Sequence, residues 1–222
     1  SMKKSAPYHI FGYCADHQHP DSRPGHMDQQ IDAIHAFWFG ELDDNGLCLH
    51  DHNALWFSAS AATDAACRSQ FGNCVEQALN GELQHWAHSD RGLIALILLL
   101  DQFTRNIYRG TAEAFAGDSR ALALAQQCIA SGHYQRLPAI HQVFLYLPLE
   151  HCEDLDIQQV CVVLFTALAA ITGNQQIASS SRYAVAHRDV IAQFGRFPHR
   201  NAALGRASTQ QELTYLETHG GF

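Results

Sequence analysis

From Asp28 to Leu216 the apolar residues recur every three to four positions, and no stretch shows the alternation of a half-buried strand. The pattern predicts eight helices. Asp28 is placed to cap the first, through Ile31, Ile34, Phe37 and Trp38, with Gly40 as its stop. A polar loop over 41–52 turns at Asp44-Asn45-Gly46. The second helix, about 63–79, gathers Cys67, Phe71, Cys74, Val75 and Ala78 on one face. Ser89 caps a third over 93–108, closed by Gly110, and Asp118 starts a fourth that ends at Ser131-Gly132. Pro138 opens a fifth, Asp154 caps a sixth over 157–171, and a seventh runs from 175 to 194. Thr209 and Glu212 form a capping box for the last, which is expected to bury Leu213 and Leu216.

Helices of this length on short Gly-containing turns stack as antiparallel neighbours, so the fold class is all-α. Residues 1–26 show no period and read as a loosely structured extension, ahead of a single helical domain over 27–222. Hydrophobic residues make up 47%, enough for a sizeable core. The longest apolar run, Leu93 to Leu100, is too short to span a bilayer. A net charge of −8 argues against nucleic acid or an anionic membrane as partner, since both need a basic face. Seven cysteines without a CxxC pair, and no apolar signal segment, point to a reduced cytoplasmic setting.

The chemistry concentrates in three places. Phe194-Gly195-Arg196-Phe197-Pro198-His199-Arg200-Asn201, followed by Leu204-Gly205-Arg206, carries three arginines on a stiff backbone. Gly195 suits a left-handed helix end and Pro198 the first position of a new helix. His199, Arg200 and Asn201 would then lie in a first turn whose free N–H groups attract anions. A helix corner whose arginines pair with distant acids explains the same residues equally well. Asp101, Gln102, Arg105, Asn106 and Arg109 follow the apolar run of the third helix, which favours an interior polar cluster over a surface pair. Glu150 and His151 end another apolar run, and His187 lies on the seventh helix. Leu98–Gln102 is echoed at an offset of 49 by Leu147–His151, each apolar run ending in an acid. Asp101 and Glu150 are expected to approach Arg196 and Arg200, because acids at the edge of a core need cations. No metal motif occurs; the histidine pairs at 17/19, 50/52 and 85/88 read as surface residues. Nucleotide loops and hydrolase elbows are absent as well.

Phe37-Trp38-Phe39-Gly40, Trp56-Phe57, Ala78-Leu79-Asn80-Gly81-Glu82-Leu83 with Trp86, and Leu99-Leu100-Asp101-Gln102-Phe103 through Arg105-Asn106 form a longer pattern. It continues through Arg109-Gly110-Thr111-Ala112, Phe115-Ala116 with Asp118, Leu147-Pro148-Leu149-Glu150-His151 with Glu153-Asp154, His187, and Phe194 to Arg206. Together these segments resemble a bacterial family of unknown function with a tetratricopeptide-repeat-like helical fold. Thr104 stands where the family has proline, and Cys152 where it has serine. The resemblance implies an array of antiparallel helices and no particular activity or cofactor.

Two functions compete. In the first, a pocket binds a small anionic ligand through Asp101, Gln102, Arg105, Asn106, Arg109, Arg196, His199, Arg200, Asn201 and Arg206. Glu150, His151 and His187 would supply acid/base chemistry. In the second, the array is a scaffold for a peptide or protein partner without enzymatic activity.

Overall fold

A computed structural model describes residues 24–222. Every regular element among them is helical, apart from a single bridge between Leu42 and Cys48. The helices are α1 (Pro24–Trp38), α2 (Asn53–Phe57), α3 (Ala61–Leu79), α4 (Asp90–Ile97) and α5 (Thr104–Ile107). They continue with α6 (Asp118–Ala130), α7 (Ala139–Glu150), α8 (Leu155–Thr172), α9 (Gln175–Phe194) and α10 (Gln210–His219). The expected extension over 1–26 falls outside the described residues except for its last three, which open α1. The histidine pair at 17/19 lies outside them too.

The central element is the rod from Asp90 to Ile107. Ser89 caps it by accepting from the N–H of Gly92. Ile94 through Leu100 are fully buried, because α1, α3, α6 and α7 pack around the rod. The apolar run therefore belongs to a helix covered on all sides rather than to an amphipathic one. The rod is not α-helical throughout: α4 and α5 are joined by a π turn over Leu98–Phe103. Such a turn inserts an extra residue per loop and so rotates the face that the next helical residues present; π turns recur at functional sites. Here Asp101 is its fourth residue and is wholly buried. Thr104 comes directly after it and donates its hydroxyl to the Leu100 carbonyl at 2.9 Å. Gly117 approaches that same carbonyl so closely that a Cβ would collide with it, which sets where α6 begins.

Trp38, Phe103 and Phe144 meet edge to face at 5.1 and 5.8 Å, tying α1, the π turn and α7 together. The turn between α7 and α8 is clamped by the buried amide of Gln158, which donates to the carbonyls of Glu150 and Cys152 at 2.6 and 2.8 Å. Asp154 caps α8, and Gly173, at φ 60°, turns the chain into α9. α8 and α9 then pack along their length. By length and hydropathy alone α8 could cross a membrane, yet Cys161, Phe165 and Leu168 are buried against its neighbours.

Three expectations are corrected. Asp28 lies inside α1 rather than at its cap. Pro198 opens only a three-residue 3-10 turn, Pro198–Arg200, not a helix with an anion-binding N-terminus. The capping box of α10 forms as expected, but α10 buries Glu212 while Leu213 stays exposed. Glu212 is drawn inward because the arginine and amide beneath it need an acid.

Candidate functional site

The π turn, the end of α7, the middle of α9 and the 198–200 turn converge on one cavity of about 690 Å³. Gln102, Arg105, Asn106, Arg109, Glu150, His151, His187, His199 and Arg200 all line it. Its apolar wall comes from Leu55, Trp56, Phe57, Phe115, Val143 and Leu147. Asp101 is not in the wall but lies directly behind it.

Asp101 organises the π-turn side. One carboxylate oxygen meets His151 Nδ1 at 2.7 Å, and the other accepts from the Gln102 amide at 2.6 Å. Arg105 donates to the Asp101 carbonyl at 2.6 Å and reaches its carboxylate at 3.5 Å. Burial alone would raise the Asp101 carboxyl, but His151 and Arg105 hold it below its ordinary value. Burial, then Arg105, lowers the His151 imidazole, against the opposing pull of Asp101. With its pKa lowered, His151 is neutral at pH 7 and donates Nδ1–H to Asp101, which Arg105 and the hydrogen bonds from His151 and Gln102 keep charged. This hydrogen bond leaves Nε2 as the basic nitrogen.

Arg105 also makes a two-pronged pair with Asp118, at 2.7 and 3.0 Å. Arg109 does the same with Asp64 at 2.7 and 2.8 Å, and Asn106 joins that carboxylate at 2.9 Å. Arg200 differs. Its guanidinium is clasped between the rings of Phe115 and Phe197, at 4.8 and 4.5 Å. Its nearest carboxylate oxygen, on Asp118, is 3.7 Å away, and its Nε has no hydrogen-bond partner. Burial and the neighbouring Arg105 lower its pKa to about 10, so it remains a cation at neutral pH.

Glu150 is the opposite case. Burial, aided by the charge of Asp101, raises its carboxyl to about 8. It is therefore a neutral acid at pH 7, and its Oε2 is buried without a partner. Its other oxygen lies 3.3 Å from His187 Nδ1. That contact is not an ion pair. His187 Nδ1 must carry hydrogen, since it lies 2.8 Å from the Tyr183 carbonyl, and burial drives the imidazole down to about 3. His199, lowered to about 4 by burial and then Arg200, is neutral too.

The remaining arginines of the C-terminal motif lie elsewhere. Arg196 binds both oxygens of Glu212 at 2.7 and 2.9 Å. Arg206 binds both oxygens of Glu153 at 2.7 and 2.9 Å, and donates to Asn201 Oδ1 at 2.9 Å. Asn201 in turn donates to Ser208 and Glu212. Arg196, Asn201 and Arg206 are thus the fastening of a helix corner, and none of them lines the cavity. The expected approach of Asp101 and Glu150 to Arg196 does not occur, because Glu153 and Glu212 are nearer acids. Two acids that hold the cavity arginines, Asp64 and Asp118, are not among the expected site residues. Both are first-turn acids, where the helix dipole already accounts for an acid; Asp118 stands out only through the family pattern, and Asp64 not at all. Cys152 is half-buried, and burial raises its thiol, which makes it a poor nucleophile. No group of three or more His, Cys, Asp or Glu side chains among the described residues is arranged to hold a metal ion.

No curated protein matches the chain. A solved structure described as a protein of unknown function, ATU0120 from Agrobacterium tumefaciens, is 35% identical, with a TM-score of 0.72 over 86% of this chain and 99% of that one. Residues 34–220 match the family model described as "Bacterial protein of unknown function (DUF924)". A match over most of the length places the chain in that bacterial family.

Proposed function

We propose that the cavity binds a small anionic ligand, with Glu150 and His151 as its proton donor and acceptor. Arg200 carries the reading. It is a buried cation beside a cavity, its Nε–H has no hydrogen-bond partner, and its nearest acid is already engaged by Arg105. A buried charge in that position gains most from an incoming anion. Glu150, neutral at pH 7, can donate a proton, and His151 Nε2, fixed by Asp101, can accept one. His187 positions Glu150.

The test is thermal unfolding of the parent protein and Arg200→Gln with inorganic phosphate and small carboxylates. The parent should melt about 5–10 °C higher at a hundredfold excess over Kd, and the variant should not respond. If no anion raises the parent melting temperature, the reading is wrong. The frame we envisage is a tetratricopeptide-repeat-like stack, supported by the successive packing of α7, α8 and α9. A cytoplasmic setting fits six described cysteines that form no disulfide with one another.

One observation favours the scaffold reading. The outer face of α8 exposes Val160, Val163 and Ile171, at 48%, 67% and 82%. An apolar face of that kind suits a protein partner. Replacing Val163 and Ile171 with lysine would then abolish association in sedimentation experiments while leaving anion binding intact.

A further inference from the structure

Resting on the anion-pocket reading, we infer that the ligand is an aromatic monocarboxylate, its ring displacing Phe222 from His187 and its carboxylate meeting Arg200. The ring slot is visible because this chain fills it. Phe222 stacks on the His187 imidazole with centroids 3.6 Å apart and planes 19° apart. Phe197 and His199 stand edge-on to it at 86° and 76°, each 6.1 Å away. Those walls admit one flat ring. The stack needs no charge, because His187 is neutral in this setting. Phe222 is nonetheless 49% exposed, so it is seated in the slot without being sealed there. Gly221 lies against His199 so closely that a Cβ would come within 2.7 Å of its side chain.

The charge of the ligand is set by the arginines. Arg105 and Arg109 each already hold a carboxylate with two hydrogen bonds. Arg200 alone among the cavity arginines keeps a buried N–H without a partner. Arg200 is thus the one cavity arginine without a two-pronged acid partner, and a single such cation is matched by a single carboxylate. Phe197 touches both features, packing on the Arg200 guanidinium and on the Phe222 ring. Ring and carboxylate subsites are therefore adjacent. Phe222 acts as a built-in competitor for the first of them.

Calorimetric titration of the full chain with 3-phenylpropionate, 3-cyclohexylpropionate and inorganic phosphate tests this. Phe222→Ala should strengthen 3-phenylpropionate binding roughly 3- to 10-fold, the size of one aromatic contact. Gly221→Ala, which pushes the backbone off His199, should do the same. Phosphate affinity should not change. The flat ligand should bind several-fold more tightly than the cyclohexyl one. Equal affinity for the two, or no gain in either variant, would overturn the inference. Binding of phosphate without 3-phenylpropionate would sink it too, while leaving the anion pocket standing. If no ligand binds in any protein, the pocket reading itself fails.

Discussion

Glu150→Gln should remove a pH dependence of stability that the parent protein carries. The folded carboxyl titrates at about 8, against an ordinary value of 4.5, with burial the larger cause and Asp101 the smaller. Between those two values the folded state holds a proton that the unfolded chain has released. Stability therefore falls as pH rises from 4.5 through 8. For a single group the loss is about 3 kcal/mol at pH 7 and about 5 kcal/mol above pH 8. Glutamine keeps the shape and hydrogen-bonding capacity of the neutral acid and cannot ionise, so the variant lacks this term. Buried histidines act with the opposite sign. His35, His141, His187 and His199 are lowered, chiefly by burial, to about 4, 3, 3 and 4, so their contribution rises with pH and levels off about one unit above the ordinary 6.5. Parent and variant share those histidines, so the difference between their profiles over the window from pH 6.5 to 8 isolates Glu150. Urea unfolding at both ends of it should show the parent losing roughly 2 kcal/mol more than Glu150→Gln, at an unchanged m-value. Parallel pH profiles for the two proteins would refute the reasoning, since they would mean that Glu150 is ionised in the folded state.

Asp101→Asn leaves Arg105 with one carboxylate fewer and His151 without a charged acceptor, and should cost about 3 kcal/mol in urea unfolding. Nitrogen-15 shifts of His151 in the same variant should show the Nδ1–H tautomer losing its dominance. Gly117→Ala forces a methyl into the Leu100 carbonyl and should cost about 1–3 kcal/mol in thermal melts, while weakening anion binding because Asp118 moves with it. Arg206→Ala opens the corner at Glu153 and should cost about 1–3 kcal/mol, whereas Arg109→Ala, on a half-exposed side chain, should cost less than about 1 kcal/mol.

Periodicity alone makes α3, α8 and α9 legible, because each carries a cap, an apolar stripe and a stop within one stretch of chain. Ser60, Asp154 and Asn174 cap them, and Gly173 and Gly195 end the last two in the left-handed conformation. The five-residue α2 and the π turn are not legible, one too short to show a period and the other hidden in a run apolar on every side. Chemically unusual stretches stand out too, and the echo between Asp101-Gln102 and Glu150-His151 pairs residues that hydrogen-bond in the fold. Which arginine does what is hidden. Arg196, Arg200 and Arg206 lie within 11 residues and look alike in sequence. Two face acids of their own corner, while the third is rotated onto Phe115 and the cavity. Likewise a glutamate at the end of α7 is an ordinary anion in any peptide. It becomes a neutral acid only once α9 covers it and Asp101 lies nearby. Helix boundaries depend on backbone conformation and neighbours a few residues away, which the sequence contains. Ionisation and partner choice depend on desolvation and on charges brought from 40 or more residues away, as between Asp101 and His151, and those exist only in the folded chain.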